Sequence, residues 1–457
     1  MNAEPQVRLL GNKELSRREA LRRGLMAAAG MLAGGAARAG APPEPAPAPR
    51  AAGRPGKARS VIQIWASGGP SHLDTFDPKP EAGYDYCGPL NKPISTKVPG
   101  LVLGELLPEM AKQADKFAFL RGMTHGINAH ETAAYLVQTG RMPGDRQVYP
   151  CAGAVVTLFK GEKTGGKGLI PPYIVLTEPQ GRFSEAGFLG GRYKPFATGG
   201  DPSQFRFVVE GVVAQNITDA QQRLRRDLLG RLNTFQQALP GEPTVKALTQ
   251  SEEQAYDLIL GDAGKLFDLS TEKDEVRERY GKNKLGQSCL MARRLVERGV
   301  PYVTINSGGW DTHKQNFQAM RRKVPEVDKG LASLVADLAE RGLLDSTVIW
   351  WCGEFGRTPR IAWESPWGGG RHHYGKVFSA VVAGGGFRGG LALGCSDAKG
   401  EEVKDRPIYP CDLLGSMYEL LGIDPNAKLP HPQGLDVRVT PRPSDTVKSG
   451  GRLYEVM

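Results

Sequence analysis

Apolar runs that empty into glycine-rich polar loops recur along this chain. Val300, Pro301, Tyr302, Val303, Thr304 and Ile305 form a short β-branched and aromatic run, which predicts a buried strand. It ends in Asn306-Ser307-Gly308-Gly309-Trp310-Asp311-Thr312-His313. The same order returns at residues 60–66, which lead into Gly68-Gly69-Pro70-Ser71-His72-Leu73-Asp74. It returns again at 346–351, before Gly353-Glu354-Phe355-Gly356-Arg357. A fourth run opens at Phe117 and passes through Thr124, His125 and His130 into a predicted helix that stops at Gly140. Gly368–Tyr374, with Arg371, His372 and His373, instead precedes the strand at 377–383. Helical periodicity at 286–298 and 327–341 falls between the strands. Residues 172–176 predict a further strand. Alternating strands and helices imply a largely parallel sheet covered on both faces, an α/β fold.

Residues 219–239 and 251–267 also have helical periodicity, in a stretch otherwise rich in Arg, Gln and Glu. They predict a helical insertion over about 200–285.

The chain has 457 residues with 40% hydrophobic and 24% charged content, enough for a large packed core. Its formal charge of +10 would invite a nucleic-acid reading, but residues 1–39 carry +4 of it. The remainder is mild, with no basic block interleaved with aromatics, so no nucleic-acid partner is expected. Ser16-Arg17-Arg18-Glu19-Ala20-Leu21 resembles a twin-arginine export signal. A weakly apolar run over 24–37 follows, then Ala37-Arg38-Ala39 as a cleavage site. That run is shorter than the ~20 residues that cross a bilayer. Residues 1–39 are therefore expected to be removed, leaving no transmembrane segment and a periplasmic or extracellular protein. The Pro, Ala and Gly of residues 40–59 predict a disordered linker. The folded domain is expected over 60–440, with a tail at 441–457. Six cysteines show no paired spacing, so they define no disulfide framework.

The histidines then become informative. Six of seven, His72, His125, His130, His313, His372 and His373, fall in the glycine-rich loops beside predicted strands. Together with Asp74, Asp311 and Glu354 they are the donor types of a metal site assembled from several loops. Imidazole and carboxylate donors suit zinc first, with manganese, calcium or magnesium as the other choices. Thr124, His125 and His130 stand at or before a helix N-terminus, where anions are favoured and a hydroxyl can serve as nucleophile. As an alternative, Thr124 or Asn128 is an ordinary N-cap. Arg357 or Arg121 could balance an anion.

These motifs as a set resemble an exported, sulfatase-like family of unknown function, a branch of the alkaline phosphatase superfamily. The resemblance runs from about Val61 to Val439 and includes a late helix over 411–424. It implies a three-layer α/β/α sandwich with divalent metal at the carboxyl edge of the sheet. Carried over, Asp74 is the early acid and Thr124 the nucleophile position, with His130 beside it. Asp311 and His313 resemble the pair on one metal, Glu354 the acid of a second, and His373 the late histidine. Three positions depart from the pattern: the close spacing of Asp311 and His313, Phe355 after the acid, and His372 in place of an acid. Cys87-Gly88-Pro89-Leu90-Asn91 lacks the Arg of the formylglycine motif, so no formylglycine is expected. The function implied is a metal-dependent hydrolase acting on a small-molecule or polysaccharide phosphate or sulfate ester. The alternative is a non-catalytic relative that binds carbohydrate or a partner. The sequence sets no oligomeric state.

Overall fold

The computed structural model describes residues 57–144, 147–161, 170–178, 185–204, 207, 219–232, 265–442, 445 and 447–457. The expected signal over 1–39, most of the linker and most of the expected helical insertion, including 251–264, lie outside them. Of that insertion, Asp219–Leu232 is a helix.

Among the described residues, eight strands make the central sheet: β1 (Ser60–Trp65), β2 (Phe117–Met123), β3 (Tyr173–Leu176), β4 (Phe196–Ala197), β5 (Tyr302–Asn306), β6 (Thr347–Cys352), β7 (Phe378–Ala383) and β8 (Leu391–Leu393). Their order across the sheet is β8-β2-β7-β6-β1-β5-β3-β4. All neighbours pair in parallel except those of β7, which is antiparallel to both β2 and β6. β7 thus enters the sheet at the edge where the other strands leave it.

The strands are nearly continuous apolar runs because both faces are covered. Ile62, Ile64, Phe117, Phe119, Val303, Ile305, Ile349 and Trp351 point into one layer. Val61, Trp65, Ala118, Leu120, Tyr302, Val348, Trp350 and Cys352 alternate with them into the other. Helices α1 (His130–Thr139), α2 (Ala152–Lys160) and α5 (Pro410–Leu420) contribute buried residues to the second layer. Helices α3 (Lys284–Glu297) and α4 (Asn316–Glu340) contribute to the first. The expected α/β architecture with a largely parallel sheet between helical layers is therefore present.

Two boundaries differ from the sequence reading. α4 begins at Asn316 rather than near 327 and runs through Pro325. Its early turns bury Phe317, Met320 and Val324, and this apolar stripe outweighs the hydrogen bond that proline removes. Within the expected tail, residues 447–457 pack onto the domain. Leu453 and Val456 are fully buried, and the Asp412 carboxylate accepts from the Gly450 and Gly451 N–H groups. Among the described residues no helix is long and apolar enough to cross a membrane.

Candidate metal centre

Five loops meet at the edge where β1, β2, β5 and β6 end and β7 begins. At their meeting point His130, Asp311 and His373 each offer a ligand atom, all within 4.8 Å of one another. His130 opens α1, whose N-cap is Ala129 with no side-chain cap. Neither Thr124 nor Asn128 is that cap, because the Asn128 carboxamide is used elsewhere, accepting from the Gly375 N–H at 2.7 Å. Asp311 follows β5, and His373 precedes β7. His313 joins through His373, with Nε2 to Nε2 at 2.8 Å, and through Asp311 Oδ1 at 3.0 Å. His373 Nε2 lies 3.1 Å from the same oxygen, and His130 Nε2 3.4 Å from Asp311 Oδ2.

The outward nitrogens explain this convergence. His130 Nδ1 lies 2.6 Å from Glu354 Oε1, His373 Nδ1 2.8 Å from the Asn128 carbonyl, and His313 Nδ1 2.8 Å from His372 Nδ1. A carboxylate or carbonyl can only accept, so in the neutral rings Nδ1 of His130 and His373 carries the hydrogen. Their Nε2 lone pairs then face a carboxylate, an arrangement that calls for a cation between them. A carboxylate or carbonyl behind each inward-facing imidazole is the usual second layer of a metal site. The rival cation is a proton. Donating a hydrogen bond to the Glu354 carboxylate raises the His130 pKa against the opposing effect of burial. Burial lowers that of His313, although Asp311 opposes it.

Asp311 is held as an anion. Partial burial works against its charge, but the hydrogen bond and charge of Arg357 and the neighbouring histidines outweigh it, and its pKa falls to about 2. Arg357 reaches Asp311 Oδ1 at 2.5 Å and is itself fully buried, donating to the Gly69 and Arg371 carbonyls. Gly68 sits at φ +110°, and a Cβ there would collide with the Asp311 backbone nitrogen. Its N–H donates to Glu354 Oε1 at 2.8 Å. Glu354 is buried, and its Oε2 has no protein hydrogen-bond partner. A buried carboxylate oxygen left without a partner is costly, which fits an additional donor or cation at this position.

The remaining expected site residues lie outside this group. Asp74 is buried, with Oδ1 and Oδ2 each 3.0 Å from the Arg371 guanidinium and Oδ2 2.7 Å from Asn316 Nδ2. It braces the two segments that present His313 and His373. Both His125 nitrogens are committed: Ile127 N–H donates to Nδ1, so Nε2–H donates to the Glu354 carbonyl at 2.7 Å. Thr124 continues from the end of β2, its N–H donating to the Ile408 carbonyl at 2.9 Å. Arg121 faces Asp77 at 3.7 Å and donates to the Val102 carbonyl, so Asp77 offsets its charge. The roles of Arg371 and of the Asn128 carbonyl were missed from the sequence. The one available signal was Arg371 beside the two histidines, since a backbone carbonyl leaves no mark in residue type.

A family model described as "Protein of unknown function (DUF1501)" matches residues 58–450. Cysteine–tRNA ligase 1 of Photobacterium profundum is 26% identical over 175 residues, which is 37% of this chain and 36% of that protein. The chain thus spans about a third of that relative, too little to carry the ligase's activity across. Among solved structures, Ps i-CgsB in complex with k-i-k-neocarrahexaose is 14% identical, with a TM-score of 0.36 over 86% of this chain and 74% of that one. The PsFucS1 sulfatase of Pseudoalteromonas sp. is 14% identical, with a TM-score of 0.35 over 80% and 68%. The alkaline phosphatase of the Antarctic bacterium TAB5 is 10% identical, with a TM-score of 0.33 over 80% and 99%. Likenesses this remote assign no chemistry to the chain.

Proposed function

The chain belongs to that family of unknown function, and from its own site we propose that it is an exported, metal-dependent hydrolase of phosphate or sulfate esters. One observation carries the reading: His130, Asp311 and His373 converge, with the outward nitrogens of both rings tied to a carboxylate and a carbonyl. The donor chemistry and the unpartnered Glu354 Oε2 fit a divalent ion. His130, Asp311 and His373 would hold it, with His313 as the adjoining fourth donor, and zinc is the first choice for such a set. Once bound, the ion would supply Lewis acidity to an ester oxygen.

The protein groups have separable tasks. Glu354 and the Asn128 carbonyl keep protons on the outward nitrogens of His130 and His373, leaving their Nε2 lone pairs inward. Arg357 keeps Asp311 ionised and is consumed in doing so, which leaves it unable to clamp a substrate anion. His125 positions Glu354 through the backbone. Thr124, at the end of β2, is proposed as the nucleophilic hydroxyl; Thr124→Ser should retain turnover that Thr124→Ala loses. Cys87 Sγ donates to the Gly83 carbonyl at 2.9 Å, and no aldehyde is proposed there. Intact mass would reveal one.

Elemental analysis of the purified protein, beside a His313→Ala/His373→Ala variant, tests the site. Near-stoichiometric metal in the wild type, lost in the variant, is expected. Phosphate monoester, phosphate diester and sulfate ester substrates, with and without chelator, test the chemistry. A folded wild type that takes up no metal even after reconstitution would end the hydrolase reading. Export is tested separately: Arg17→Lys/Arg18→Lys should leave the precursor in the cytoplasm.

A further inference from the structure

Two exposed aromatic side chains, Tyr84 (60% exposed) and Trp363 (38%), lie face to face with ring centroids 5.2 Å apart and planes 6° from parallel. Behind Trp363 the buried Phe317 continues the stack at 5.8 Å and 19°. The column of three rings therefore ends in an open Tyr84 face. It is held tightly, since a Cβ at Gly369 would come within 2.9 Å of the Trp363 ring.

This column is built into the segments that carry the candidate metal centre. The loop with Trp363 is closed by a bridge between Ala362 and Gly370, and Gly370 leads through Arg371 to His372 and His373. Just after His313, the Gln315 N–H donates to the Trp367 carbonyl at 3.0 Å and the Asn316 N–H to the Gly369 carbonyl at 3.2 Å. The Trp367 ring lies 4.7 Å from that of His372 and 6.3 Å from that of His313. The Ile361 N–H donates to the Asp85 carbonyl at 2.8 Å, fixing the Tyr84 turn to the same loop.

We propose that the outer face of Tyr84, backed by Trp363, is a subsite for an uncharged pyranose ring of a glycan whose ester group reaches the His130–Asp311–His373 cluster. As a substrate assignment, this rests on the ester-hydrolase reading above. A pyranose presents a C–H face with hydroxyls around its rim, matching a flat aromatic face with a polar surround. Acidic residues adjoin both rings along the chain, with exposed Asp85 after Tyr84 and exposed Glu364 after Trp363. Carboxylates accept hydrogen bonds from sugar hydroxyls and repel phosphate or sulfate, so the neutral ring belongs on the shelf and the anionic group at the metal centre. The same acids oppose a nucleic acid, although its bases would stack on such a face. A protein partner would need ~800 Å² on this side, whereas two aromatic side chains supply ~150–250 Å² each. Contacts to a non-reacting ring can contribute to transition-state stabilisation, giving the shelf a use in turnover.

Binding read without turnover tests this. The purified protein and its His313→Ala/His373→Ala variant are titrated with β-linked hexaoses of galactose, glucose, mannose and N-acetylglucosamine, followed by tryptophan fluorescence and calorimetry. At least one hexaose should bind both proteins. Tyr84→Ala should weaken it about tenfold or more, with Tyr84→Phe close to wild type. Trp363→Ala should weaken it as well. Silence of the whole panel with wild type, unchanged binding by Tyr84→Ala, or preference for a single-stranded oligonucleotide overturns the proposal. An inactive enzyme that still binds sugar through Tyr84 would overturn only the hydrolase reading.

Discussion

Asp74 and Asp311 share a local pattern, each following a strand and a pair of glycines, yet their surroundings differ. The Asp74 side chain is 1% exposed and meets one bidentate arginine and one amide. That of Asp311 is 45% exposed and meets an arginine and three imidazoles. At Asp74 charge is matched by charge and water is excluded, which braces two loops and leaves little for a ligand. At Asp311 more donor atoms converge than one carboxylate can satisfy, and the excess points to chemistry. Residue type and the order of strand, glycines and acid are the same in both; partner number and exposure separate them.

The strongest way to break this contrast is to unpair Asp74. Arg371→Met leaves a buried carboxylate without its partner and should cost about 3–5 kcal/mol of stability, read by denaturant unfolding. A loss under about 1 kcal/mol would mean Asp74 is less committed than its hydrogen bonds imply.

Acid should expose the same closed region next. His72 is buried beside Asp74 and Asp77; burial lowers its pKa to about 4 from an ordinary 6.5, although both acids oppose this. A base with a depressed folded pKa contributes stability that is present above 6.5 and lost as pH falls toward 4. The loss should be about 3 kcal/mol across that window, and His72→Gln should flatten it.

At the open region, Glu354→Gln should weaken metal binding about 10- to 100-fold while leaving the fold intact, because Glu354 acts through His130. Competition with a metallochromic chelator reads this. Unchanged affinity would make the Glu354–His130 contact incidental.

The smallest expected effect is also the sharpest discriminator. Asp311→Asn in metal-free protein should cost less stability than Arg371→Met, since Asp311 is half-exposed and the buried Arg357 keeps its carbonyl acceptors, yet it should abolish metal uptake. A large stability loss there would make Asp311 a second Asp74.

Much of this was legible in the sequence. The apolar runs marked the strands, and glycine followed by Asp, Glu or His marked the edge where they end. What stayed hidden were the long-range choices. Arg371 lies 297 residues from Asp74, and nothing local announces their pairing. His130 read as a catalytic residue at a helix start, because its approach to Asp311 depends on how α1 docks. The start of α4 was misplaced because Pro325 reads locally as a stop, whereas Phe317, Met320 and Val324 supply a face worth continuing for. The reversed direction of β7 has no residue-level signature, although it brings His373 to the right edge.

That reversed strand also sets an order of assembly. β2 is made early, but both its neighbours in the sheet, β7 and β8, come from beyond residue 377. During synthesis β2 and the loop after it must wait for most of the chain before they have edges to pair with, so a large loop closes late. His373 arrives on the segment that enters this gap. The ligand set is therefore complete only when the last central strand slots between two older ones. A chain stopped short of that strand would hold its histidines on unjoined halves, with no pocket in which to retain an ion.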